Sequence, residues 1–154
     1  MHADERGEST AQRADRNWNE LLQELRVMQT GVQILTGFLL TLPFQSRFSD
    51  LDDYQRIVYL ILVITSVVAT ALIVAPVSVH RSLFRKQMKR NIVTLADRIT
   101  RAALGVLALV MTGATLLVFD VVVGRTAGIV AGASVLVVLG ILWVAFPEAL
   151  RRRR

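Results

Sequence analysis

The chain has 154 residues, 53% of them hydrophobic and 19% charged, and its formal net charge is +6. This length is typical of one domain, and the lack of cysteine excludes disulfides, thiol catalysis and cysteine-ligated metals. The basic residues adjoin long uncharged segments, so the positive charge indicates contact with anionic lipid headgroups, and no nucleic-acid partner is expected.

Four segments without Asp, Glu, Lys or Arg dominate the sequence. They are residues 27–44, 57–79, 102–119 and 126–146. A helix rises 1.5 Å per residue, so each segment is long enough to cross the roughly 30 Å of bilayer hydrocarbon. Helices of a water-soluble bundle would keep a polar face, and these segments have apolar groups on every side. The sequence predicts an all-α fold, a four-helix transmembrane bundle within residues 15–150.

The basic residues predict which side of the membrane each end occupies. Of the 18 Lys and Arg residues, all but Arg47, Arg56 and Arg125 lie in the amino-terminal region, the second loop or the carboxy-terminal tail. Positively charged loops remain in the cytoplasm. We therefore expect a multi-pass protein with both termini cytoplasmic.

The first 14 residues are polar and lack periodicity, which predicts a disordered cytoplasmic tail. From Asp15, a helix is expected, because Trp18, Leu21, Leu22 and Leu25 recur at helical spacing. This amphipathic extension is predicted to continue into the first span.

A polar stripe follows the first span. Its candidate site residues are Arg26, Gln29, Thr30, Gln33 and Thr41, which fall with Gly37 in a sector of roughly 120° at about 100° per residue. Exposing glutamine to lipid is costly, so the stripe is expected to face the bundle interior. Interhelical hydrogen bonding is the favoured interpretation, and the alternative is a hydrated path or ligand pocket entered past Arg26.

The second loop and the tail carry the candidate contacts to lipid headgroups. In the loop, apolar residues at helical spacing alternate with basic ones, which predicts either a basic helix on the inner leaflet or cytoplasmic extensions of helices two and three. Residues 151–154 form a basic tail. The candidates are Arg85, Lys86, Lys89, Arg90, Arg151, Arg152, Arg153 and Arg154.

The fourth span contains the glycines predicted to pack helices, namely Gly124, Gly128, Gly132 and Gly140. Glycines four residues apart form a groove that lets another helix approach closely. Packing within the chain, against the third span, is favoured over a homodimer interface.

The chemistry expected of this chain is limited. The sequence shows no catalytic motif, no metal-ligand spacing and no cofactor-binding motif, and Asp120 lies at the edge of its span. The leading hypothesis is a non-enzymatic membrane protein that self-associates or serves a larger membrane complex. The alternative is an ion channel or transporter whose path follows the first-span stripe.

The run from Asp15 to Phe44, with Tyr54-Gln-Arg56 and His80-Arg81, resembles a family of uncharacterised four-span proteins from actinobacteria and other bacteria. Some of its members carry the automatic name sodium:proton antiporter. The resemblance implies a bacterial inner-membrane protein of unknown function, and it supplies no catalytic residues.

Overall fold

The computed structural model describes residues 10–83 and 89–152, and the regular structure in these ranges is helical. The helices are α1 (Thr10–Thr41), α2 (Asp53–Leu83), α3 (Lys89–Val122), α4 (Arg125–Gly140) and α5 (Phe146–Arg152). Short 3-10 turns cover Leu42–Phe44 and Ser46–Asp50, and a π-helical turn, Ile141–Ala145, joins α4 to α5.

The prediction of an all-α bundle of four membrane-length helices is confirmed. The parts long and apolar enough to cross a membrane are Leu22–Phe44, Asp53–Ser78, Arg98–Val122 and Arg125–Arg152. Each extends beyond its uncharged run at one end or both, because a helix continues into the headgroup region with charged residues on its last turns.

One segment differs from expectation, and in a second the structure agrees with one of the two alternatives, the extension of helix three. Helix α1 begins at Thr10, so residues 10–14 are helical rather than part of a disordered tail; residues 1–9 lie outside the described part. Helix α3 begins at Lys89, so the second half of the basic loop extends α3. Arg85, Lys86, Arg153 and Arg154 fall outside the described residues, and nothing is described of the side chains of Lys89 and Arg90.

The ends of the helices follow from local chemistry. Pro43 lies in the 3-10 turn that ends α1, since proline disfavours helix at the residue before it. Asp52 caps α2, where its carboxylate accepts from the Gln55 backbone N–H at 2.7 Å and the Gln55 side chain accepts from the Asp52 N–H at 3.1 Å. A proline ring displaces the carbonyl four residues earlier, and Pro147 therefore accounts for the π-helical turn that precedes it.

Helices α1, α2 and α3 enclose the core, which has two halves. Near the termini, Leu25, Met28 and Val32 of α1 pack with Ala69, Ile73, Ala103 and Leu107. At the opposite end, Leu39 packs with Tyr59, Leu62, Val110 and Leu117. The Tyr59 hydroxyl donates to the Leu39 carbonyl at 3.1 Å, which joins α1 to α2. We call this second end, with residues 42–53 and 120–125, the hairpin end.

Helix α4 packs against α3 through two glycines. A Cβ on Gly128 would lie 2.8 Å from the Leu116 carbonyl oxygen and 2.8 Å from the Asp120 Cβ, and one on Gly132 would lie 3.0 Å from the Leu116 Cβ. Both glycines are buried. The structure therefore places the glycine groove inside the chain, as the favoured interpretation expects.

Candidate functional site

A groove of about 400 Å³ runs along the surface of the bundle between α1 and α2. We call it the amide groove, because two glutamines of α1 supply its polar groups together with two threonines. Its lining residues are Gln29, Val32, Gln33, Thr36, Gly37, Leu40, Thr70 and Ile73.

The amide groove lies on the outside of the bundle, which corrects the expectation that the stripe faces inward. Arg26, Gln29, Thr30, Gln33 and Thr41 are all exposed. The apolar face of α1 packs into the core of the bundle. The polar stripe therefore lies beside the contact between α1 and α2. Within one chain, Gln29 and Gln33 of the stripe therefore line a groove that is open on the bundle surface.

The two glutamine amides have no hydrogen-bond partner among the residues that the structure describes. The threonines beside them differ, since Thr30 donates to the Arg26 carbonyl at 3.0 Å and Thr41 to the Phe38 carbonyl at 2.7 Å. A threonine satisfied by its own helix is tolerated in lipid, whereas a free amide costs several kcal/mol in hydrocarbon, on the order of its lost hydrogen bonds. Within residues 10–83 and 89–152, nothing therefore satisfies the two amides.

Only part of the predicted stripe lines the groove. Gln29 and Gln33 do, and Arg26, Thr30 and Thr41 lie to its side. Sequence reasoning missed Thr36, whose buried hydroxyl has no hydrogen-bond partner within the described ranges, and Thr70 of α2. The positions of Thr36 and Gln29 seven residues apart on α1 would have indicated that they share a face.

The fourth-span glycines have separate roles. Gly124 has a φ of 125°, a conformation that side chains rarely adopt, and forms the turn between α3 and α4. Gly140 has open space where a side chain would project. Of the four glycines, only Gly128 and Gly132 would bring an added Cβ against α3, so within the chain the close helix packing predicted for four glycines involves these two.

Comparison with known proteins places the chain in a family. Residues 7–147 match the model of a family of unknown function, DUF6328. The chain belongs to this family. No curated protein matches it, and no solved structure does. Family membership agrees with the resemblance in that the function of the family is unknown, and it assigns no biochemical role.

This DUF6328 member also has a charged cluster at its hairpin end, which sequence reasoning did not select. The Arg125 Nε donates to Asp120 Oδ1 at 3.3 Å and lies 3.1 Å from Oδ2, while its Nη2 donates to Asp52 at 2.7 Å. The guanidinium lies 3.7 Å from the centre of the Tyr54 ring. Arg125 therefore links the α1–α2 connection to the α3–α4 turn through its contacts with Asp52 and Asp120.

Asp120 is the buried member of this cluster, with 2% of its side chain exposed, against 43% for Arg125. It lies inside helix α3 and within the membrane-length part Arg98–Val122, although the sequence places it at the edge of its span. The sequence signal for a buried Asp120 is Arg125, which follows five residues later, just after the Gly124 turn.

Proposed function

We propose that this chain is a self-associating component of the bacterial cytoplasmic membrane, in which the amide groove forms the contact between subunits. The observation that carries the proposal is the outward position of Gln29 and Gln33 on a membrane-length helix. Lipid tails offer no hydrogen bonds, so these side chains are stabilised when another protein surface covers them.

The chemistry of the groove favours a second copy of this chain as the covering surface. A carboxamide both donates and accepts hydrogen bonds, so two glutamines from one copy can pair with the same two from another. Gly37 in the groove has nothing within 4 Å of its missing side chain, which leaves room for a second helix to approach. Symmetric contacts of this kind are the commonest in homo-oligomers.

We place both termini in the cytoplasm, on the support of the uneven distribution of Lys and Arg. In that orientation, the exposed Arg151 and Arg152 lie where anionic headgroups are attracted at about 1 kcal/mol per residue. The other basic residues of the second loop and the tail, Arg85, Lys86, Lys89, Arg90, Arg153 and Arg154, belong to the same proposed lipid-contact set.

The proposed role is structural rather than catalytic. The polar groups of the amide groove are the amides of Gln29 and Gln33 and the hydroxyls of Thr36 and Thr70. None of these groups exchanges a proton near neutral pH, so the groove suits hydrogen bonding between helices and not acid–base chemistry. An accessory role in a larger membrane complex would use the same surface.

The oligomeric state tests this proposal. In mild detergent, the wild-type chain is expected to form a homo-oligomer, and Gln29→Leu/Gln33→Leu should weaken its association roughly tenfold to a thousandfold for two lost bonds. This estimate assigns about 0.6–2 kcal/mol to each lost interhelical bond. Light scattering over a concentration series measures the change.

The matched control is Thr30→Val, which removes an exposed polar group from the same helix whose hydroxyl is already bonded to Arg26. It should leave association unchanged. A wild-type chain that stays monomeric at every concentration, or a double variant that associates like the wild type, would contradict the proposal.

A further inference from the structure

A second groove, of about 160 Å³, lies at the hairpin end between the α1–α2 connection and the last turns of α3. Its walls are almost entirely apolar, so its polar residues contribute mainly their carbon stems. The lining residues are Leu42, Gln45, Arg47, Phe48, Leu51, Leu117, Val118, Val121 and Val122.

The position of this groove relative to the spans indicates what occupies it. Leu42 and Val122 belong to membrane-length segments, which end at Phe44 and Val122, whereas Gln45, Arg47 and Leu51 lie just beyond. The groove therefore crosses the boundary between hydrocarbon and headgroups. An apolar cavity of similar volume holds a group of about six carbons, which matches the first part of an acyl chain.

Arg47 lines this groove and Asp50 lies on the same turn, and these two opposite charges have no partner among the described residues. Of the three basic residues at the hairpin end, Arg56 bonds the Leu51 carbonyl and Arg125 pairs with Asp120, while Arg47 has no ion pair or hydrogen bond among the described residues. The Asp50 carboxylate likewise has no ion pair or hydrogen bond among the described residues. Both are exposed.

The spacing of the two charges places them on one side of the turn, and no ion pair joins Arg47 to Asp50. Arg47 and Asp50 lie three apart on the 3-10 turn Ser46–Asp50, and side chains three apart in such a turn point in the same direction. A cation beside an anion complements a headgroup with a phosphate and a primary ammonium. The ammonium matters because Asp50 repels a headgroup that is only negative.

We propose that this groove binds one phospholipid of the phosphatidylethanolamine class, with an acyl chain along the apolar wall, the phosphate at Arg47 and the ammonium at Asp50. This site is separate from the basic residues at the termini, and it does not depend on self-association. It assigns to the hairpin end a lipid selected by both charges of its headgroup.

The test is competition between phosphatidylethanolamine and phosphatidylglycerol with identical acyl chains. Native mass spectrometry of the full chain, purified in mild detergent and given equal amounts of both lipids, counts the molecules that remain bound. The wild type should retain phosphatidylethanolamine about fivefold over phosphatidylglycerol, as expected for one favourable charge contact near the membrane surface.

Two variants test the contributions of the two charges separately. Asp50→Asn should reverse the preference towards phosphatidylglycerol, because the repulsion of an anionic headgroup is removed, and Arg47→Gln should lower retention of both lipids. The controls Asp53→Asn and Arg56→Gln make the same charge changes at the same end, in residues that pair with each other at 4.0 Å. They should leave the preference as in the wild type.

A groove-filling variant tests the apolar wall. Val121→Trp should reduce retention of both lipids, and circular dichroism verifies that it folds. Equal retention of the two lipids by the wild type would overturn the proposal. So would control variants that shift the preference as much as Asp50→Asn and Arg47→Gln do, since that result would indicate only the general charge of the surface.

Discussion

Replacing Gly128 by leucine is expected to destabilise the packing of α4 on α3 by about 3 kcal/mol, the upper part of the range for overpacking. The reason is geometric, since even the first added carbon would lie 2.8 Å from the Leu116 carbonyl oxygen. A backbone oxygen within a helix cannot move aside as a side chain can, so α4 itself must shift. Unfolding titrated with an ionic detergent measures the loss.

Gly140→Leu is the matched control, because it adds the same side chain to the following turns of the same membrane span, where nothing lies within 4 Å of the added carbon. Its stability should equal or slightly exceed that of the wild type, since leucine favours helix over glycine. Equal effects of the two substitutions would show that Gly128 does not mediate the contact.

The second large effect concerns Arg125. Arg125→Leu should lower the free energy of unfolding by about 3 kcal/mol, the low end for breaking a buried ion pair, because Arg125 is itself 43% exposed. The substitution leaves the Asp120 carboxylate buried without its cation and removes the link to Asp52. The same detergent titration reports this loss.

A double variant distinguishes the buried charge from lost packing. Arg125→Leu/Asp120→Leu should recover much of the stability, because both charges are gone and the site becomes apolar. Arg56→Leu, which removes an exposed arginine from the same end, should leave stability unchanged. A double variant less stable than the single one would refute the account of Asp120 as a charge held by Arg125.

The architecture could be predicted from sequence because hydrocarbon imposes a simple rule on it. A helix that crosses the membrane needs an apolar surface all the way round, so uncharged runs such as residues 57–79 identify spans without any knowledge of packing. Gly128 and Gly132 could likewise be predicted as packing residues from their spacing. Packing within the chain, against α3, is the favoured interpretation of that spacing, and the structure agrees with it.

The direction of the first-span stripe could not be predicted in the same way. Periodicity shows that Gln29 and Gln33 share a face, but it does not decide which face of α1 meets the other helices. The expectation of an inward stripe assumed that one chain satisfies its own polar groups. The structure places Leu25, Met28 and Val32 inward instead, and it leaves both glutamine side chains exposed.

Asp120 was missed for a related reason. A rule that ends spans at charged residues treats every carboxylate as the end of a span. A carboxylate can nevertheless be buried when the tertiary structure places a cation beside it. That cation is Arg125, which the tight turn at Gly124 brings back over the end of α3. The sequence contains both residues, and only the geometry of the turn joins them.

Disulfide cross-linking tests the central claim most directly, because the chain has no cysteine of its own. Under mild oxidation in native membranes, Gln33→Cys should form a covalent dimer in high yield. Phe38→Cys, which is 57% exposed, lies about 7.5 Å further along α1 and roughly 140° away around it at about 100° per residue, and it should stay monomeric. Dimers from Phe38→Cys and none from Gln33→Cys would contradict the assignment of the amide groove as the subunit interface.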